Sequence, residues 1–266
     1  MRARSGWTRA LVTGASSGIG RAFATRLAAA GTEVVVVARR VDRLDELAAE
    51  IAGSGAPKPE VLPADLADPD QRAAVESRLA DRDQPVDLLV NNAGFGTRGF
   101  FADLPVEREE AQIRLNALAP VCLARAVLPG MLERCRGGIV NVSSMAGLQP
   151  LPGWATYAAT KAFLTNFSES LHEEVRAHGV SVLALMPGFT RTEFHKHASM
   201  ARSYIPGAFW MSPDDVVRSA LQALARGRAA HVPGWRFRGV ALLSRVAPWS
   251  VSRRIVHAAD RRIPPG

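Results

Sequence analysis

Tyr157 and Lys161 stand four residues apart, and Ser144 lies thirteen residues before the tyrosine. If Ala155 to Arg176 forms a helix, positions i and i+4 share one face, and the Lys161 ammonium reaches the neighbourhood of the Tyr157 hydroxyl. A free phenol ionises near pH ~10, and lowering that by one pH unit takes roughly 1.4 kcal/mol, which an adjacent cation in a partly dry site can supply. The spacing therefore predicts a tyrosine that exchanges protons at physiological pH. Such a residue points to an enzyme.

These groups need elements to hold them, and the sequence supplies short β-branched runs alternating with longer helical patterns. Ala10–Thr13 precedes a helix over Ile19–Ala30, Glu33–Ala38 precedes Asp42–Ala52, and Glu60–Ala64 precedes Pro69–Arg82. The alternation continues through Val86–Val90, the amphipathic stretch Glu107–Glu133, the strand Gly138–Val142, a helix around Tyr157–Ala177 and the strand Val180–Met186. A last helix over Pro213–Arg226 precedes a strand-like Ala229–Val232. Continuously apolar strands require a parallel sheet covered on both faces. The expectation is an α/β doubly wound domain with ligands outside the carboxyl ends of its strands.

The first strand runs into Thr13-Gly14-Ala15-Ser16-Ser17-Gly18-Ile19-Gly20. Gly14 permits a tight turn, Gly18 lets backbone approach a pyrophosphate, and Gly20 allows close packing of helix on sheet, while the helix start offers free amide donors. A glycine pattern with a strand before it and a helix after it predicts nucleotide binding. Where an acid would hold a ribose 2′-hydroxyl, the second strand ends instead in Ala38-Arg39-Arg40. Two guanidiniums there would pair a 2′-phosphate, which favours NADP(H) over NAD(H). A solvated basic turn balanced by Asp42 and Asp45 is the alternative, and it does not account for the missing acid.

With 266 residues, 47% hydrophobic and 22% charged, the chain is long enough for one large core. The longest uninterrupted apolar run, Val34–Ala38, falls far short of a membrane span, and Met1–Arg9 contains no apolar signal region. A cytoplasmic protein is expected. Cys122 and Cys135 lack metal-ligand spacing and read as buried reduced thiols; no metal site is expected, and His195 and His197 read as surface residues. Residues 1–225 hold 24 Lys+Arg and 24 Asp+Glu, whereas 226–266 hold nine Arg and one acid, Asp260. That balance counts against a broad nucleic-acid face. The arginine-rich, apolar segment 233–266 reads either as packing on its own domain or a second subunit, or as a peripheral membrane or anionic-partner contact. Pro233, Pro248, Pro264 and Pro265 argue against one long helix there.

Taken in order, these motifs resemble the short-chain dehydrogenase/reductase family over about residues 8 to 232. The resemblance implies a single Rossmann-type domain of about seven parallel strands in the order 3-2-1-4-5-6-7, here residues 1–232 with a variable substrate lid at 193–211, followed by the extension 233–266. It implies cofactor contacts from Gly14, Ser16, Ser17, Gly18, Ile19 and Gly20, from Arg39 and Arg40, and from Asp65 and Leu66 at the adenine. Asn92, Ala93 and Gly94 would lie beside the adenosine ribose, and Pro187, Gly188, Thr190 and Thr192 beside the nicotinamide carboxamide. Asn116 resembles the family asparagine that distorts its helix and holds a water in a proton relay. Ser144 matches the catalytic serine, with Ser143 the adjacent alternative. Tyr157 would be the proton donor, and Lys161 would hold ribose hydroxyls while lowering the tyrosine pKa.

By the same analogy Phe95, Met145, Leu148, Trp154, Phe189, Phe194, Met200, Tyr204, Phe209 and Trp210 would line the substrate pocket, an apolar set suited to a lipophilic ketone or aldehyde. Family members usually form dimers or tetramers through the helix that carries the tyrosine, and Ala158, Ala162, Phe163, Phe167 and Leu171 would permit this. Three readings stand: an NADPH-dependent carbonyl reductase or the reverse alcohol dehydrogenase, a catalytically silent nucleotide sensor on the same fold, and a binding module acting through the basic tail. The intact Asn116, Ser144, Tyr157, Lys161 set favours the first.

Overall fold

Four consecutive valines, Val34–Val37, cannot alternate between core and solvent, so the strand they build must be covered on both faces. All four are buried. Val34 and Val36 belong to one apolar cluster, and Val35 and Val37 to another on the opposite face. The computed structural model describes residues 6–193 and 207–246, apart from the side chains of Ala208, Val240 and residues 242–246.

The sheet has seven strands in the order β3-β2-β1-β4-β5-β6-β7, and every neighbouring pair is parallel. They are β1 (Arg9–Thr13), β2 (Glu33–Ala38), β3 (Glu60–Pro63), β4 (Leu88–Asn91), β5 (Gly137–Val142), β6 (Val180–Leu185) and β7 (Ala230–His231). Helices α1 (Gly18–Ala29) and α2 (Val41–Gly53) cover one face together with α7 (Pro213–Ala225). Their inward residues include Phe23, Leu27, Leu44, Ile51, Val216 and Ala220. The other face carries α3 (Pro69–Ala80), α5 (Ala119–Glu133) and α6 (Ala155–Val175), which bury Val75, Leu79, Leu123, Val127, Met131 and Val175. This is the doubly wound arrangement that the apolar strands demand.

Of the two cysteines expected to be buried, Cys122 is half-buried and Cys135 is exposed, because Cys135 lies in the turn that follows α5 (Ala119–Glu133). The stretch Glu107–Glu133 is one helical rod in three parts: α4 (Val106–Ile113), a π-helical turn Arg114–Leu118, and α5. Val106–Glu133 is long and apolar enough by composition to cross a membrane, yet α5 packs on α3, β4 and β5 and has the apolarity of a core helix. Past β7, which is two residues long, helix α8 (Trp235–Val246) packs against the short turn Met145–Leu148, so the first part of the 233–266 extension lies on the Rossmann-type body.

Candidate active site

The carboxyl ends of β1 and β4 flank the point where the strand order reverses, which is where a doubly wound sheet opens a crevice. There Thr13 ties the two strand ends together: its hydroxyl accepts from the amides of Asn92 and Ala93 at 2.9 and 3.0 Å. In return, the Asn92 side chain donates to the carbonyl oxygens of Thr13 and Gly14. Gly14 and Gly20 leave no room for a side chain, because a Cβ at either would lie under 3 Å from Asn92 Nδ2. Gly18, at φ +56°, faces the Thr192 side chain, where a Cβ would meet Cγ2 at 3.0 Å. The glycine turn is thus clasped between the Asn92–Gly94 segment and the 187–192 stretch. Helix α1 starts at Ser17 with no side-chain cap and no acidic residue in its first turn, so its amides face the crevice uncompensated, as an incoming pyrophosphate requires. Ser16, Ser17, Gly18, Arg43, Thr192 and Glu193 border one groove of about 1050 Å³. These features fit a dinucleotide.

Beyond the glycine turn the arginines do different things. Arg40 reaches the Ser16 hydroxyl at 3.1 Å and the Glu193 carboxylate at 3.2 Å. Arg39 is exposed and lies 3.5 Å from Asp65. The Asp65 carboxylate also accepts from the Ala67 amide, and Leu66 is buried beneath. Ser16, Arg40 and Arg39 therefore form a donor-rich edge, at present answered by two carboxylates. Ile19 packs against the core at the start of α1.

Tyr157, Ser144 and Lys161 converge at the ends of β5 and α6. Ser144 is extended and its Oγ caps the turn Met145–Leu148 by accepting from the Ala146 amide at 3.1 Å. The same hydroxyl hydrogen-bonds the Tyr157 side chain. Ser143, the neighbouring alternative, is turned away: its hydroxyl donates to the Lys161 carbonyl oxygen at 2.7 Å and is within 2.7 Å of Thr165 Oγ1. Successive side chains leave a strand on opposite faces, and the register of β5 decides which serine meets the tyrosine. Lys161 is buried, its ammonium donating to the Val142 carbonyl oxygen at 2.8 Å and lying 5.8 Å from the centroid of the Tyr157 ring.

The direction of the tyrosine's shift is opposite to the sequence expectation. Burial pushes the Tyr157 hydroxyl up to about 12, with the Ser144 hydrogen bond opposing. Burial also pushes the Lys161 ammonium down to about 8. The ammonium faces a carbonyl oxygen rather than the phenolate it was expected to stabilise, so desolvation outweighs the cation's pull in this state.

Asn116 sits at the centre of the π turn and is fully buried, a frequent place for such a turn to mark a functional position. Its side-chain amide donates to the Phe95 carbonyl oxygen at 2.8 Å and to Thr160, and its oxygen accepts from the Phe95 amide. A turn earlier, Gln112 accepts from the Thr97 amide at 2.7 Å. Two buried amides thus clamp the segment after Gly94, whose own Cβ position lies 2.9 Å from Asn116 Oδ1 and 3.5 Å from Lys161 Nζ. Asn91 and Asn141 continue this lattice through the sheet to Ser168. Gln112, Thr13 and Asn141 escaped the sequence reading; the available signal was a polar residue on an otherwise apolar strand or helix face.

The expected pocket residues divide. Trp154 is buried edge-on to Tyr157 at 5.6 Å between ring centroids, and Met145 and Leu148 bound the short turn beside it. Phe95 lies under the Arg108 guanidinium. Phe189 and Trp210 are 5.8 Å apart. Phe237, from α8, joins them: its ring is 6.4 Å from Phe189 and 6.0 Å from Phe209 and fills the space where a Cβ on Gly188 would lie, at 2.4 Å. The carbonyl oxygen of Pro187 accepts from the Met145 amide, and Thr190 bridges to Met211. Phe194, Met200 and Tyr204 lie outside the described residues.

A family profile described as short chain dehydrogenase matches residues 8–203. A very-long-chain 3-oxoacyl-CoA reductase of Bos taurus is 32% identical over 255 residues, covering 88% of this chain and 78% of that protein. The solved structure of a short-chain dehydrogenase from Sphingobium yanoikuyae in complex with NADPH is 36% identical, with a TM-score of 0.81, over 94% of this chain and 95% of that one. A bulky-bulky ketone specific alcohol dehydrogenase from Comamonas testosteroni is 33% identical with a TM-score of 0.78, covering 90% of this chain and 92% of the other.

Proposed function

The chain belongs to the short-chain dehydrogenase/reductase family of oxidoreductases, and from that we propose that it is an NADP(H)-dependent carbonyl reductase, or the reverse alcohol dehydrogenase, acting on a lipophilic ketone or aldehyde. The observation that carries the reading is the meeting of the Tyr157–Ser144 hydroxyl pair with the buried Lys161 ammonium, beside the clasped glycine turn.

Gly18 and the α1 amides would hold the pyrophosphate, and Asp65 and Asn92–Gly94 the adenosine half. Ser16, Arg40 and Arg39 would take a 2′-phosphate in place of the Glu193 and Asp65 carboxylates. Pro187, Gly188, Thr190 and Thr192 would orient the nicotinamide. When bound, NADPH supplies the hydride. Tyr157 gives its proton to the developing alkoxide oxygen while Ser144 donates a hydrogen bond to the same atom. Lys161 would turn from the Val142 carbonyl to the ribose hydroxyls, and the carbonyl groups exposed by the π turn at Asn116 would hold the water that resupplies the proton. The apolar Phe189, Phe209, Trp210 and Phe237 rings support an apolar substrate.

The subunits would pair across α6 and the rod in front of it. Phe163, Ile113 and Leu118 are 48%, 49% and 45% exposed, and Phe163 stacks on Phe167 at 6.2 Å. Ala158 and Leu171, also expected there, are buried within their own chain and cannot meet a partner.

The test is NADPH oxidation against carbonyls graded from short polar aldehydes to steroid-like and long-chain ketones. Turnover should rise with apolar size. Tyr157→Phe should abolish it and leave NADPH affinity nearly intact; substantial remaining turnover would refute the role of Tyr157.

A further inference from the structure

Many arginines elsewhere on this surface stand against carboxylates: Arg26 pairs with Asp214, Arg78 with Glu60 and Arg82 with Glu133. The set around β7 is different. Arg226 and Arg228 at the end of α7, and Arg238 on the first turns of α8, are exposed, and none has a carboxylate partner among the described residues. No Asp or Glu occurs between residues 226 and 246. Burial pushes His231 on the edge strand down to about 4, and the Arg238, Arg228 and Arg226 guanidiniums add to the shift. Arg238 is held there by donating to the Val232 carbonyl oxygen at 3.1 Å. Next to this cluster Trp235 opens α8 with 75% of its surface exposed, and the Arg236 guanidinium lies 5.2 Å from the centre of its ring.

We propose that Trp235, Arg226, Arg228, Arg236 and Arg238 form a docking surface for a membrane carrying anionic headgroups. A cationic patch in which Arg226, Arg228 and Arg238 have no carboxylate partner among the described residues attracts phosphate-bearing headgroups. A large, exposed indole with a guanidinium over its face suits the boundary where one side of the ring meets acyl chain and the other meets headgroup and water. An acidic carrier protein would answer the charge but not the exposed indole. The surface also has a definite position: one residue past Arg236, Phe237 is buried against Gly188 and Phe189. The membrane would therefore lie alongside the aromatic wall of the active site. The docking itself does not depend on the proposed reaction.

The test is co-sedimentation of the full chain with vesicles of phosphatidylcholine alone, or of phosphatidylcholine with about one third phosphatidylglycerol. The protein should bind the anionic vesicles and be released by high salt. A basic side chain near such a surface changes partitioning about fivefold, so Arg226→Gln with Arg228→Gln should weaken binding roughly 25-fold. The variant's circular dichroism and melting should be unchanged. Trp235→Ala should weaken binding and remove a blue shift of tryptophan emission on vesicle addition. Equal binding to neutral and anionic vesicles, or a double arginine variant that binds like the parent, would overturn the proposal. Salt-sensitive capture of an acidic acyl carrier protein without vesicle binding would also overturn it.

Discussion

Replacing Lys161 by methionine should make the cofactor-free protein more stable at neutral pH and catalytically dead. The ammonium is buried and pushed from its ordinary 10.5 down to about 8. At pH 7 it is charged in both the folded and unfolded chain, and the folded state bears the desolvation cost, about 3 kcal/mol for a displacement of that size. Above pH 8 the folded chain releases the proton while the unfolded chain keeps it until about 10.5. The wild-type protein therefore gains stability from this group as pH rises through that window. The methionine variant has no such gain, and it also loses the hydrogen bond to Val142 at 2.8 Å, worth about 1 kcal/mol. The variant should be more stable by about 1–2 kcal/mol at pH 7. That advantage should shrink by about 2 kcal/mol by pH 9.5, leaving the two proteins nearly equal. Urea denaturation of both proteins at pH 7 and 9.5 checks this, with melting temperatures moving about 2–4 °C per kcal/mol in a domain near this size. Any fixed packing difference cancels between the two pH values. A stability difference that stays constant from pH 7 to 9.5 would refute the desolvation argument.

Arg39→Ala combined with Arg40→Ala should weaken NADPH binding by about 30-fold or more, from the loss of two charge-assisted contacts, while NADH binding measured by fluorescence changes less than about threefold; equal losses would exclude 2′-phosphate recognition. Glu193→Gln should tighten NADPH binding by about two- to fivefold in the same titration, because the carboxylate on Arg40 is exposed and worth at most about 1 kcal/mol. Gly188→Ala should destabilise the protein by about 1–3 kcal/mol in the parent, through the clash with the Phe237 ring. In a Phe237→Ala background it should cost less than about 0.5 kcal/mol, and additive effects in this double-mutant cycle would mean that α8 does not seat on Gly188.

Much of this architecture is legible because burial on both faces writes itself into composition. Val34–Val37 announce a covered parallel strand, and Thr13–Gly20 announces a turn that must admit backbone close to an anion. The remaining features are tertiary. Helical periodicity runs unbroken through Glu107–Glu133, and nothing local in Arg114–Leu118 marks a π turn; Asn116 was found only through the family resemblance. Ser143 and Ser144 are chemically identical, and only the parity of β5 separates them. The prolines at 233 and 248 argue against one long helix in the tail but do not say what it packs on, because Phe237 seats on Gly188 through a contact between residues 49 positions apart. The sign of the Tyr157 shift was missed because spacing places the cation on the correct helix face but says nothing about the depth of burial or the competing carbonyl oxygen of Val142.

That sign bears on which half of the reaction the site is prepared for. A phenol pushed up to about 12 keeps its proton at neutral pH, so the resting active site holds a loaded acid rather than a base. Donation then needs the acid strengthened only while an alkoxide is forming. The buried Lys161 lies 5.8 Å from the centre of the ring but donates to Val142, a contact it would exchange for ribose hydroxyls on the proposed mechanism. Seating of the cofactor and lowering of the tyrosine pKa would be the same motion of one ammonium group. This coupling also accounts for glycine at position 94, where a Cβ would press on Asn116 and lie 3.5 Å from Lys161 Nζ. On the proposed mechanism the lysine would use that space to turn, and the clamp from Asn116 to Phe95 would hold the backbone out of its path.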